Sequence, residues 1–247
     1  MTYCAAIRLN QGMIFASDTR TNAGVDHIST FKKLYQYGVL GERFIVIQTA
    51  GNLATSQAAF TKLQQAIDQR HDSSLHTVLT LFDAAQMLGE CLREVIEHAK
   101  RVAGNQSCTA FTSSFMLGGQ IQGQSPDLYM IYPEGNFIRA TQDTPFFQLG
   151  ESKYGKPILD RSIDYDTDLY HAAQALMLSF DSTIQSNLSV GMPIDFVMYH
   201  NDSFTIPKVR RIEEDDAYYN TLRHRWATAL RDTLMKLPDS PEGYWHG

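Results

Sequence analysis

Four residues within the first fifty-one positions have the types and spacing for acyl-transfer chemistry: Thr2, Asp18, Lys33 and Gly51. A threonine hydroxyl is a weak nucleophile until a base takes its proton. Once Met1 is removed, Thr2 carries its own base, an α-amine that ordinarily titrates at roughly 7.7–8.0. A lysine beside that amine lowers its pKa by like-charge repulsion and stabilises an alkoxide. An aspartate holds the ammonium group of such a lysine in place through a charge-assisted hydrogen bond. A glycine that ends a strand and precedes a helix turns a backbone N–H toward a developing oxyanion. Taken singly, these residues have plainer readings. Asp18 reads equally as a turn cap, and Lys33 as a charge on a strand edge.

The elements around them decide whether they meet. TYCAAIRL and GMIFASD are short β-like runs joined through Asn10, Gln11 and Gly12, a hairpin pattern. With the turn centred on Asn10, partner positions sum to about twenty, which sets Thr2 opposite Asp18. KKLYQYG and RFIVIQTAG form a second pair around Leu40 and Gly41, bringing Lys33 level with the residues just before Ala50 and Gly51. Neighbouring hairpins would gather all four residues at one edge.

Beyond Gly51 the hydrophobic period becomes helical over residues 52–71 and 74–101. Strands return at 109–122, DLYMIYPEG, NFIRATQ and FFQLGE, with Pro133-Glu134-Gly135 as a turn. A helix pair is predicted at Tyr154–Leu159 and Thr167–Ser186, then strands PIDFVMYHND and SFTIPKVRRI. A last helix follows, from about Asp215 to Lys236, before a Pro-containing tail. Two blocks of strands, each followed by a pair of helices, predict a four-layer α/β sandwich, αββα. Neither a linker nor a repeat divides the chain, so residues 1–247 read as one domain with a C-terminal helix and tail over about 213–247.

Composition narrows the function classes. Of 247 residues, 43% are hydrophobic and 19% charged, which predicts a globular core. The net charge is −6 with no Lys/Arg run, which argues against nucleic-acid binding. No apolar stretch reaches membrane-spanning length and no secretory leader pattern opens the chain, so the expectation is a cytoplasmic protein without a membrane partner. Cys4, Cys91 and Cys108 read as reduced thiols. The eight histidines lack paired metal-ligand spacing, and His71 and His76 read as surface residues, so no metal and no cofactor is expected. Cys4 stands too far from the N-terminus to use its own amine and reads as core.

TYCAAIR, then GMIFASDTRTNAG, FKKLYQ and TAGN, resembles the opening of proteasome β-type subunits, the N-terminal-nucleophile threonine peptidases. TYCAAIRL with SDTRTNAGVDHISTFKKL is similar to one bacterial branch, the Anbu family of proteasome homologues. LGGQIQG, IYPEG, FFQLGESKYGKPILDR and DSTIQSNLSVGMPID continue the resemblance in the same order, to about residue 205. It implies the αββα fold, assembly of the chain with itself into rings or ring-like arrays, and threonine-type hydrolysis of a peptide or amide without a cofactor. Position by position, it implies Thr2 as nucleophile, Asp18 as acidic partner and Gly51 as oxyanion glycine. Lys33, which directly precedes Leu34, is the implied lysine, with Lys32 the lesser candidate. Ser189 and Gly191 match a later family segment. Two positions depart from the pattern: Glu151 stands where the family carries a serine beside the amine, and Ser186 where it carries an aspartate.

Thr21, Phe31 and Thr49 are the expected pocket residues. The rival expectations are a catalytically silent, ring-forming scaffold on the same fold and a small-molecule amidase. The sequence names no ATPase partner.

Overall fold

The computed structural model describes residues 2–22, 28–104, 111–242 and 244–245. The chain forms two compact units, Met1–Glu214 and Asp215–Gly247.

In the first unit, β1 (Tyr3–Arg8) and β2 (Gly12–Asp18) make the first hairpin. A short pair follows, β3 (Arg20–Asn22) and β4 (Ile28–Thr30), which the sequence pattern does not predict. β5 (Leu34–Val39) and β6 (Arg43–Gly51) make the next hairpin and lead into α1 (Leu53–Asp68) and α2 (Leu81–Val102). Then come β7 (Ser113–Ile121), β8 (Asp127–Ile131), β9 (Phe137–Arg139) and β10 (Phe146–Gly150). The helices α3 (Lys156–Ser162) and α4 (Leu169–Ser186) precede β11 (Ile194–His200) and β12 (Arg210–Ile212). One five-stranded antiparallel sheet runs β10-β1-β2-β11-β12, the other β5-β6-β7-β8-β9.

Alternation along the strands sorts side chains between layers. Cys4, Ala6, Met13 and Phe15 of one sheet meet Phe44, Val46, Met116 and Leu128 of the other in a core between the sheets. On the opposite side of β6 and β7, Ile45, Ile47, Phe115 and Leu117 pack against Ala59, Phe60, Leu88 and Leu92 of α1 and α2. Across the first sheet, Tyr3 packs on Phe180 of α4 with ring centroids 4.5 Å apart and the planes tilted by 46°. The result is the expected αββα sandwich. Both faces of the central strands are covered, which is why β2 is buried at every position instead of alternating with solvent.

Local chemistry corrects several boundaries. The second helix begins at Leu81, not near Ser74, because Thr80 and Asp83 form a reciprocal capping box. Before it, the Thr77 hydroxyl accepts from the Ser74 amide at 2.9 Å and closes a turn in place of helix. The strand expected over 203–212 shrinks to Arg210–Ile212, since Pro207 lacks an N–H and Asp202 and Phe204 adopt left-handed backbone angles. Strand β7 starts at Ser113, and residues 109 and 110 of its expected beginning lie outside the described residues. Cys108 does too, whereas Cys4 and Cys91 are free thiols. Burial pushes the Cys91 thiol up to about 11 and raises Cys4 further. No described helix is long and apolar enough to cross a membrane.

In the second unit, α5 (Ala217–Leu234) starts at Asp216, whose carboxylate accepts from the Tyr219 amide. Leu230, Leu234 and Met235 are exposed.

Candidate active site

The first hairpin turns one residue differently from expectation. Leu9 donates to the Gly12 carbonyl at 2.8 Å, leaving Asn10 and Gln11 as a two-residue loop. Cys4 pairs with Ser17, so partners sum to one more than a turn centred on Asn10 would give. Asp18 therefore lies across from Tyr3, not Thr2. Its carboxylate Oδ1 accepts from the Tyr3 amide at 3.0 Å and so grips the backbone immediately behind Thr2.

The second hairpin supplies Lys33, whose carbonyl accepts from the Thr49 amide at 3.0 Å. The Lys33 ammonium donates to Asp18 Oδ1 at 2.7 Å and to the Arg20 carbonyl at 2.5 Å. Asp18 is fully buried and Lys33 is 4% exposed. Burial raises the Asp18 carboxyl above the ordinary carboxylate range, against the pull of Lys33 and of the Tyr3 amide. Lys32, the neighbouring candidate, is exposed and lies 4.8 Å from the Tyr35 ring centroid, away from this pair.

Gly51 closes β6 with φ at +122°. A Cβ there would stand 2.5 Å from the Thr112 carbonyl oxygen and 2.7 Å from Ser113 Cα, so only glycine fits. Asn52 follows as the cap of α1, its side chain accepting from the Thr55 amide at 3.0 Å. Gly51 thus stands at the strand-to-helix junction, at the positive end of α1.

Thr2, Lys33 and Gly51 line a single cavity of about 320 Å³, together with Thr21 and Thr49. Phe31, the third expected pocket residue, is not among its lining residues; it is half-buried, and its amide donates to the Thr19 carbonyl instead. Four lining residues escape sequence reasoning: Ala50, Leu53, Ser56 and Gly150. Ser56 carries a readable signal, since it stands one helical turn after Asn52 and must face back toward the end of β6. Gly150 lies at the end of β10 opposite Tyr3, a pairing that joins residues nearly 150 positions apart and has no local signature. Its φ is +80°, and a Cβ there would fall 1.8 Å from the Thr2 carbonyl oxygen.

Glu151 and Ser189 are not among the lining residues of this cavity, and Glu151 touches Thr2 through its backbone. The Glu151 amide donates to the Thr2 carbonyl at 2.7 Å, fixing the backbone of the leading strand. The Glu151 carboxylate is nearly buried, and its Oε2 accepts from Asn187 Nδ2 at 3.0 Å. Asn187 in turn accepts from the Ser189 amide at 2.9 Å, linking the two expected positions through one side chain. Gly191 packs directly beneath the Arg20 guanidinium, where any side chain would collide with it.

A threonine lining the cavity, a buried lysine held by a buried carboxylate, and a strand-to-helix glycine form an arrangement able to support nucleophilic attack on a carbonyl.

No protein-family model and no curated protein matches the chain. Solved structures do. The structure of Anbu, the ancestral β-subunit, from Yersinia bercovieri is 49% identical with a TM-score of 0.91, the match covering 96% of this chain and 99% of that one. The helical assembly of the Anbu complex from Pseudomonas aeruginosa is 53% identical with a TM-score of 0.92, covering 98% and 99%. A Gly-1 mutant of Anbu from Hyphomicrobium sp. strain MC1 is 46% identical with a TM-score of 0.89, covering 97% and 99%. Identity at this level over nearly the whole length of both chains places the family beyond the fold alone: the chain belongs to the Anbu family of proteasome-like proteins.

Proposed function

We propose that the protein is a threonine-type hydrolase that cleaves a peptide or amide bond with Thr2 after removal of Met1. The observation that carries this reading is the shared cavity: Thr2, Lys33 and Gly51 face one space, with Asp18 holding the lysine at 2.7 Å. Thr2 Oγ attacks the substrate carbonyl while the Thr2 α-amine takes its proton. Lys33 keeps both groups at the lower end of their pKa ranges, and the Gly51 region receives the negative charge on the former carbonyl oxygen. As the C–N bond breaks, the α-ammonium returns the proton to the departing amine and an ester on Thr2 remains. Water, losing a proton to the same amine, then attacks that ester and releases the acid. The step needs neither metal nor organic cofactor.

The same reading takes residues 1–247 as one hydrolase domain with a C-terminal helix and tail over about 213–247, in a cytoplasmic, self-assembled ring or open array. The self-assembly is supported by the helical assembly of the Anbu complex from Pseudomonas aeruginosa. A peptide electrophile that closes a ring with both a hydroxyl and the adjacent free amine tests the chemistry. Mass spectrometry is expected to place the adduct on Thr2 in the Met1-free protein. An intact assembly that takes up no adduct refutes the reading.

Glu151 favours a second reading, a scaffold on the same fold without turnover. Glu151 stands where the family carries a serine, and its backbone holds Thr2; a nearly buried carboxylate turned to the α-ammonium would hold it protonated and so remove the base. The intact mass of the native protein separates the two: quantitative retention of Met1 belongs to the scaffold, clean removal to the hydrolase. A small-molecule amidase differs from the first reading only in substrate, acting on simple acyl-amides and not on peptides.

A further inference from the structure

The cavity beside Thr2 has a wall that the proposed chemistry does not use. Thr49 Oγ1 lies 2.7 Å from Ser56 Oγ, which lies 2.7 Å from Ser113 Oγ, and Thr49 closes the triangle to Ser113 at 3.2 Å. Three backbone carbonyls surround the triangle: Asn52 at 3.0 Å from Ser56, Ala50 at 3.0 Å from Ser113, and Ser114 at 3.5 Å from Thr49. All three side chains are almost wholly buried, and Thr49 and Ser56 line the cavity.

Hydrogen arithmetic gives this wall a polarity. Three hydroxyls own three hydrogens and six lone pairs, and each neighbour just named is either another hydroxyl or a carbonyl, which can only accept. A chain running Thr49 to Ser56 to Ser113 to the Ala50 carbonyl uses all three hydrogens and only two of the hydroxyl lone pairs. In that arrangement two lone pairs of Thr49 and one of Ser56 stay unused, so the wall can accept from a group that enters the cavity. Of the other lining residues Ala50 and Leu53 are apolar, Thr2 and Thr21 add hydroxyls, and Lys33 already has Asp18 and the Arg20 carbonyl as partners. Among the described lining residues none is a carboxylate, so the wall has no counter-charge for a basic side chain.

We infer that this cavity selects substrates whose attacked carbonyl belongs to a residue with a compact, uncharged, hydrogen-bond-donating side chain, of the kind serine, threonine and asparagine carry. The inference rests on the hydrolase reading above and specifies its substrate class. An incoming hydroxyl or amide N–H meets the unused lone pairs of Thr49 and Ser56. A side chain of the same shape without a donor leaves those oxygens desolvated and unpaired.

Fluorogenic peptides that differ only at the residue supplying the attacked carbonyl test this, with the Met1-free assembled protein as enzyme. Threonine and valine, nearly equal in shape, make the decisive pair. Threonine is expected to give kcat/KM about tenfold above valine, with phenylalanine and arginine lower still. In the double variant Thr49→Val with Ser56→Ala, the ratio of kcat/KM for threonine over valine, measured within that one variant, is expected to invert toward valine. Equal rates for threonine and valine, with Thr2 labelled normally, overturn the selectivity and leave the hydrolase reading standing. Failure of the parental enzyme to label at Thr2 overturns both. A preference that persists unchanged in the double variant assigns it elsewhere and also refutes the role given to this wall.

Discussion

The two polar walls of the Thr2 cavity are built from opposite materials. On one side Lys33 and Asp18 form a buried ion pair, with a carbonyl and an amide as further partners. On the other, Thr49, Ser56 and Ser113 bring only neutral hydroxyls, each with several alternative neighbours. A buried ion pair has one good arrangement, because each member is costly without the other. A hydroxyl cluster has several, because a rotated O–H finds another acceptor. The charged wall is suited to holding one geometry against a nucleophile, and the neutral wall to turning its hydroxyls around a polar side chain.

This contrast can be broken most sharply at Lys33. The variant Lys33→Met leaves the Asp18 carboxylate buried without its cation and is expected to lower unfolding free energy by about 3–5 kcal/mol, read by chemical denaturation. Adding Asp18→Asn to that variant is expected to recover much of the loss. A single-variant loss below about 1 kcal/mol would show that the pair does not act as a unit. Ser113→Ala tests the other wall on the same scale. Thr49 and Ser56 remain 2.7 Å apart and can pair without Ser113, so the expected loss is only about 1 kcal/mol. A loss as large as that at Lys33 would erase the distinction between the walls.

The smallest effect is in pH. Burial leaves Asp18 with a higher carboxyl pKa in the folded protein than in the unfolded chain, so the native state binds this proton more tightly. Its contribution to stability is fully present below the unfolded value of about 3.9 and is lost as pH rises through the folded pKa. Comparing the pH dependence of unfolding for the parent and Asp18→Asn isolates this slope. It is expected to be negative with rising pH in the parent and absent in the variant. An opposite slope would mean that Lys33 outweighs burial.

How much of this is legible in the chain differs between the walls. Asp18, Lys33 and Gly51 each stand at or beside the end of a strand whose pattern is plain, so two hairpins are enough to bring them near Thr2. The neutral wall needs more. Thr49 and Ser56 flank Gly51 in sequence, but Ser113 arrives on β7, after two helices, and no periodicity announces that pairing. Gly150 is hidden in the same way, by a contact between the first strand and the tenth. Errors of register and boundary come from short polar residues whose local hydrogen bonds compete with regular structure. The loop at Asn10 and Gln11, the turn at Ser74 and Thr77, and the cap at Thr80 are the cases in point. Phe31 stands two positions before Lys33, which strand alternation would set on the same side, but residues 31–33 lie between β4 and β5 and form no strand, so that alternation does not apply.

The loop at Asn10 and Gln11 has reach beyond its size. It lies at the far end of β1, a six-residue strand that spans roughly 20 Å, yet its length alone decides which residue faces Asp18. Lengthening that bend by a single amino acid would slide one strand past the other and carry the carboxylate off the Tyr3 amide, with no atom near the cleft having been altered. Insertions at this distant surface are therefore felt at the nucleophile, and tolerance to them cannot be judged by proximity.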